Sequence, residues 1–245
     1  MKYWNAVLRI THGCTPCASG CAYCWAAREA NMRQFNPLVA ARYQGLIEDK
    51  GGPTFNGVVR VHPENIKKAQ QVKKPRVWQI WNDLFHDAVP DYIISEVVAL
   101  ARVKPDHTFI ALTKRPERMF ALSRRMIIPK NLFLGVSITS SMDQEKPFEF
   151  FRNTNAPSKL ISFEPCVGAA DLADILKYDH AIKLVVCGGE SGPKKHVRPC
   201  PHNAVWKAYN ECRDAGVNFF FKQWGSLEAG HLIDREEVLQ LPWVI

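Results

Sequence analysis

Residues 6–24 read AVLRITHGCTPCASGCAYC. The run Ala6–Ile10 has the length and apolar character of a buried strand, and it breaks at Gly13 into a loop carrying Cys14, Cys17, Cys21 and Cys24. Outward from it, short β-branched or aromatic runs alternate with longer helical segments. The further predicted strands are Arg76–Trp81, Thr108–Leu112, Leu132–Ser137, Lys159–Phe163, Leu184–Cys187 and Asn218–Lys222. The predicted helices are Ala22–Gln34, Asp91–Val103, Pro116–Arg125, Asp143–Phe151, Ala170–Leu176 and His202–Ala215. In Asp91–Val103 the residues Ile93, Ile94, Val97, Val98 and Ala101 share one helical face. Strands alternating with helices imply parallel βα units, so the expected fold is α/β: a single-domain full or partial TIM-like barrel over residues 1–245. Residues 35–75 read as an insertion with a turn at Gly51-Gly52-Pro53, and Val58–Val61 reads as a weaker strand in a hairpin there.

Composition agrees with a globular domain. Of 245 residues, 47% are hydrophobic and 23% charged, which excludes a wholly disordered, collagenous or coiled-coil chain. No apolar run approaches the roughly 18–20 residues of a bilayer span. The N-terminus carries Lys2 and Arg9 around a short apolar run and does not read as a signal peptide. The expectation is a soluble cytoplasmic protein without a membrane partner. The net charge of +8 favours an anionic partner, of which nucleic acid is the commonest, although a basic enzyme has the same balance.

Eight cysteines in such a chain argue for metal or catalysis before disulfides. Cys166, Cys187, Cys200 and Cys212 are scattered and read as buried thiols. The clustered four admit several metal readings. A zinc ribbon usually spaces its two knuckles by about 12–20 residues, far more than the short gap between Cys17 and Cys21. A two-cluster ferredoxin needs a Pro after the last cysteine and a second set, and neither is present. Taken as C-x3-C-x2-C, Cys17, Cys21 and Cys24, with Tyr23 ahead of the last ligand, resemble the radical S-adenosylmethionine (SAM) superfamily. The resemblance implies a [4Fe–4S] cluster held by three thiolates, whose open iron is chelated by SAM. The cofactor then carries the radical chemistry and the protein positions it.

In parallel barrels the working residues gather at the C-terminal strand ends. Here those ends are polar or Gly-rich: Asn82-Asp83-Leu84-Phe85-His86, Thr113-Lys114-Arg115, Ser137, Glu164-Pro165, Gly188-Gly189-Glu190-Ser191-Gly192 and Lys222-Gln223-Trp224-Gly225. Together with Gly13-Cys14 through Cys24, Lys114-Arg115-Pro116-Glu117-Arg118-Met119 and Phe163-Glu164-Pro165, these segments resemble a phage-associated family of radical-SAM-like proteins. The match runs in order from residue 13 to residue 225 and implies a barrel of the radical SAM type. The family pattern C-x6-C-x2-C selects Cys14, Cys21 and Cys24, whereas the superfamily spacing selects Cys17, so both stand as first ligand.

The resemblance and strand-end chemistry together give the other expected roles. Tyr23 packs on the SAM adenine, Asn82 and Asp83 hold its ammonium, Ser137 meets the ribose, and Lys114 or Arg115 pairs with a carboxylate or phosphate. Glu164, Glu190 and Lys222 are the candidate catalytic groups, with Glu164 also a cofactor contact. Gln223 and Trp224 face substrate, Trp224 as a base-stacking surface. Arg198 and His196 meet an anionic substrate, and His86 reads as a cap. The leading expectation is a radical SAM enzyme acting on a base in DNA, an aminoacyl-thymine isomerase of phage hypermodification in the host cytoplasm. A flavodoxin- or ferredoxin-type electron donor is implied with it. The alternatives are a repair or RNA-modifying radical SAM enzyme, and a non-catalytic zinc-stabilised nucleic-acid-binding protein.

Overall fold

The computed structural model describes residues 2–234 and 236–243. The chain opens with β1 (Ala6–Leu8) and β2 (Thr11–His12), then passes through the cysteine loop into α1 (Trp25–Arg33). Residues 35–75 hold α2 (Ala40–Tyr43), the hairpin of β3 (Ile47–Asp49) and β4 (Pro53–Phe55), β5 (Arg60–Val61) and α3 (Glu64–Gln71). Strand and helix then alternate: β6 (Val77–Ile80), α4 (Asp91–Val103), β7 (Thr108–Thr113), α5 (Pro116–Ser123), β8 (Leu132–Ile138) and α6 (Glu145–Arg152). The alternation continues through β9 (Lys159–Phe163), α7 (Ala173–Tyr178), β10 (Ile182–Gly188), α8 (His202–Ala215) and β11 (Asn218–Gln223). A short ribbon of β12 (Leu232–Ile233) and β13 (Glu236–Glu237) follows.

Seven strands form one sheet in the order β1-β6-β7-β8-β9-β10-β11, and every neighbouring pair is parallel. The sheet curls into a half-barrel. Among the described residues β1 and β11 do not pair with each other, so the closed form of the expected barrel is not what this chain builds. The outer edge of β11 is covered by the C-terminal segment instead: Phe221 N donates to Val238 O at 2.8 Å and Gln240 N to Phe219 O at 3.1 Å. Among the described residues no helix is long and apolar enough to cross a membrane.

Strand side chains alternate between faces. The outer face packs on the helices, and the predicted stripe Ile93, Ile94, Val97, Val98 and Ala101 of α4 is buried there. The inner face starts apolar, with Val77, Ile110, Phe133, Leu160, Leu184, Val186 and Phe220. The two chain ends plug it: Tyr3 packs on Phe220 at 5.8 Å between ring centroids, Trp243 packs on Phe133 at 4.8 Å, and Trp243 Nε1 donates to Tyr3 O at 3.1 Å. Two to four residues further along the strands the inner face turns polar, with Gln79, Ser137, Ser162, Glu164 and Lys222. The concave side is therefore floored by a greasy plug and topped by a polar layer at the C-terminal ends.

Gly135 lets that floor close. A Cβ there would stand 2.7 Å from Leu112 Cδ2 and 2.9 Å from Leu160 O, a backbone atom that cannot swing away. Gly135→Ala is expected to cost about 1–3 kcal/mol through overpacking. A lower urea midpoint checks this, and an unchanged midpoint would contradict the tight approach of β8 to its neighbours.

The insertion is organised differently from its sequence reading. Arg60–Val61 pairs antiparallel with Thr11–His12, while the hairpin within the insertion is β3–β4. The partner of a short strand lies far away in sequence, which local pattern does not encode. α1 begins at Trp25 rather than Ala22, because the 3₁₀ turn Ser19–Cys21 and the extended Cys24 occupy the preceding residues.

Candidate active site

The loop from Gly13 to Cys24 follows β2 and lies across the C-terminal mouth of the sheet. Its entry is set by Gly13, which adopts φ +94° and whose Cβ position lies 1.9 Å from Val58 O, so glycine is the residue that fits. Side chains from the ends of three strands, β6, β7 and β8, then pin the loop. Asn82 Nδ2 donates to Gly13 O at 2.8 Å and Arg115 Nη2 to Thr15 O at 2.7 Å. Thr15 Oγ1 and His86 Nε2 lie 2.9 Å apart, and Ser19 Oγ reaches both Thr139 Oγ1 and Asp143 Oδ2 at 2.9 Å. His86 is thus the bracing group its sequence reading expected, with Nδ1 accepting from Ala88 N at 3.1 Å.

All eight thiols are free. Cys14, Cys21 and Cys24 are half-buried and Cys17 is exposed, while Cys166, Cys187, Cys200 and Cys212 are buried as expected. A hydrogen bond from Cys17 pulls the Cys21 thiol down to about 5, with the Lys114 ammonium adding to the pull against burial. The same shared proton pushes Cys17 up. Burial pushes Cys14 up to about 11, reinforced by the charge of Asp83, and burial also raises Cys24. Among the described residues no ready-made cage of three or more His, Cys, Asp or Glu side chains stands closed around a metal position. The donor set nonetheless suits an iron–sulfur cluster in kind: reduced thiols on one short loop, one with its pKa pulled down, facing cationic groups.

Asp83 and Arg115 are consumed in holding the mouth. Asp83 accepts from Thr113 Oγ1 at 2.7 Å, from Phe85 N at 3.0 Å and from Arg115 Nη1 at 2.9 Å. Arg115 Nη1 also touches Cys14 Sγ at 3.8 Å. By contrast, Asn82 Oδ1 is buried without a hydrogen-bond partner, and the Lys114 ammonium has none among the described residues. Of the pair expected to hold an ammonium group, Asn82 therefore has the free acceptor.

In the polar layer, Glu164 accepts from Lys222 Nζ at 2.6 Å and from Ser162 Oγ at 3.2 Å. Gly188 leaves the room this pair needs, its Cβ position being 3.2 Å from Lys222 Cβ and 3.5 Å from Glu164 Oε1. Ser137 lies in the same layer, opposite Ser162 in the register of β8 and β9. Sequence reading missed Ser162 and Gln79, whose only signal was their period-two register with Glu164 and Val77.

Two expected contacts are placed elsewhere. Glu190 is buried and its carboxylate is taken up by Arg198, through Nε at 3.1 Å, Nη2 at 2.6 Å and the backbone N at 2.9 Å. It braces the loop 191–198 instead of facing the polar layer. Trp224 is buried under His202, with ring centroids 3.9 Å apart, and its Nε1 donates to Leu232 O at 3.0 Å, so its ring offers no surface for base stacking. Gln223 is held by Gly189 O at 3.4 Å and by Ser191 Oγ. Tyr23 is 40% exposed, stacks on His196 at 5.8 Å and has Arg198 at 5.7 Å from its ring.

Tyr23 and Cys21 also line a cleft of about 680 Å³ on the flank of the mouth, between the Lys50–Thr54 turn and the loop 191–197. Arg28 lines it as well, with Nη2 donating to Ser191 O. Neither Arg28 nor Lys50 carries a motif, and only the tertiary fold brings them beside Cys21.

No curated protein and no solved structure shows significant similarity to the chain. One family model matches residues 1–239, nearly the whole chain from before β1 to the ribbon after β11, and the protein belongs to that family, DUF5131, described as proteins of unknown function.

Proposed function

We propose that the protein is a radical SAM enzyme whose cluster is held by Cys14, Cys21 and Cys24, and that it acts on a nucleic-acid base. The observation that carries this reading is the thiol loop lying across the C-terminal mouth of a parallel half-barrel, above a polar layer and beside the Lys114 ammonium. The half-burial of Cys14 beside the exposed Cys17 supports Cys14 as the first ligand in this reading, with Cys17 as its neighbour. When bound, a [4Fe–4S] cluster with SAM supplies reductive cleavage of the sulfonium to a 5′-deoxyadenosyl radical.

The residues of this chain have the complementary tasks. Asn82 Oδ1, buried without a partner, would accept from the amino group of the methionine moiety, and Lys114 would pair with its carboxylate. Ser137 and the Glu164–Lys222 pair orient the polar remainder of the bound molecules, with Lys222 Nζ holding the Glu164 carboxylate in place. The plug of Tyr3, Trp243 and Phe220 closes the opposite end of the half-barrel and keeps water from entering there. The net charge of +8 supports DNA as the partner, with rearrangement of an aminoacyl-thymine as the preferred reaction and a small electron-transfer protein as reductant.

The test is an anaerobic EPR spectrum of the reduced, iron–sulfur-reconstituted protein with and without SAM. A cluster signal that changes on adding SAM is expected. A cluster blind to SAM, or protein retaining zinc and no iron, would overturn the reading, the latter in favour of a zinc-stabilised nucleic-acid-binding protein.

A further inference from the structure

The cleft beside Cys21 has the size and charge of a nucleotide site. Its volume of about 680 Å³ lies in the range of sites that enclose small molecules. Arg28, Lys50, Lys195 and His196 line it, and no Asp or Glu does. Lys195 is exposed with no ion-pair partner among the described residues. Lys50 has only Glu48, at 2.7 Å in an exposed pair of the kind that gives way readily to another anion. Arg28 Nε is buried without a hydrogen-bond partner. The backbone of the turn at Gly51 and Gly52 is also open, with nothing within 4 Å of either Cβ position. The stacked pair of Tyr23 and His196 provides an aromatic wall on the same side.

We infer that this cleft is a nucleotide subsite for a DNA strand, in which Lys50 and Lys195 pair with phosphates flanking an everted base and the Tyr23–His196 wall stacks against that base. A base within a duplex does not reach a recessed mouth, so the nucleotide must leave the stack to enter. Base–aromatic stacking tolerates any base, which fits a wall without a dedicated hydrogen-bond code. The inference rests on the function proposed above for its choice of a base as the reacting group. The anion-binding site itself stands on the lining of the cleft.

The experiment is fluorescence anisotropy of a labelled single-stranded DNA 12-mer, titrated at several salt concentrations with the full chain. Lys50→Glu/Lys195→Glu is compared with Lys67→Glu/Lys68→Glu, an exposed pair on α3 outside the cleft, so that both variants change the net charge equally. The cleft variant is expected to bind at least about tenfold more weakly, with the salt slope reduced by about 1.4 for two lost phosphate contacts on a single strand. The α3 variant is expected to bind within about threefold of the parent. Equal losses in both variants, no loss in the cleft variant, or displacement by thymidine monophosphate as effective as by the strand would each overturn the inference. Iron content and the response of the EPR signal to SAM are read on the same samples. A failure of the radical SAM reading thus shows in the spectra, while a failure of this inference shows in the anisotropy.

Discussion

Cys21→Ser and Cys24→Ser proteins are expected to emerge from anaerobic reconstitution without iron–sulfur absorbance and without detectable SAM cleavage, whereas Cys17→Ser retains both. Serine keeps the size of the side chain but supplies no soft thiolate, so the loss is chemical and not a matter of packing. Cys21 is the most exacting position. A hydrogen bond from Cys17 and the Lys114 ammonium pull its pKa down against burial, and it belongs to both candidate ligand sets. Cys14→Ser separates the two ligand sets. The half-buried Cys14 and exposed Cys17 predict that Cys14→Ser loses the cluster. Iron and sulfide analysis beside EPR checks the series. A cluster that survives Cys14→Ser and is lost in Cys17→Ser would reassign the first ligand, and one that survives Cys21→Ser would remove the basis of the proposed function.

Removal of Asp179 is expected to give the largest loss of stability from a single substitution outside the mouth. The Lys159 ammonium is only 3% exposed and is held by Asp179 Oδ2 at 2.9 Å and by Phe151 O at 2.8 Å. Asp179→Ala leaves that charge buried with carbonyls alone, which costs about 3–5 kcal/mol. In a chain of this size the melting temperature falls by about 10 °C. The double variant Lys159→Met/Asp179→Leu is expected to recover most of the loss, because no buried charge is left unpaired. Burial already lowers the Lys159 pKa against the pull of Asp179. A cation with a lowered folded pKa binds fewer protons folded than unfolded, so stability rises with pH between the folded value and the ordinary lysine range. Without Asp179 the folded value falls further, and the deficit is expected to be greatest near neutral pH and to narrow in alkaline buffer. A denaturation series over pH checks this, and a loss below about 1 kcal/mol at pH 7 would mean that the ammonium is hydrated after all.

Much of the fold was legible because its signals are local. Each sheet strand is a short apolar run beside a helical segment, and the α4 stripe Ile93 to Ala101 is buried as its period demanded. Polar residues at strand ends drew attention to Asn82, Lys114, Ser137, Glu164 and Lys222, and the structure gathers them around one mouth. The same rule also selected Glu190 and Trp224, whose side chains turn into Arg198 and under His202. Position at a strand end does not encode which way a side chain faces once a bulge shifts the register, as it does between Cys187 and Gly188.

The sequence by itself determined the seven parallel strands with helices between them, the thiol loop after the first strand and the basic charge, since hydrophobic period, ligand spacing and composition are properties of neighbouring residues. Only the tertiary structure decided that the sheet stays open, that β5 pairs with the entry to the thiol loop, and that Asp83 is used up while Asn82 is not. It also decided that Arg28, Lys50 and Lys195 meet across a cleft beside Cys21. These features join residues far apart in the chain, and their partners are chosen by three-dimensional packing and by the saturation of polar groups, neither of which a local pattern records.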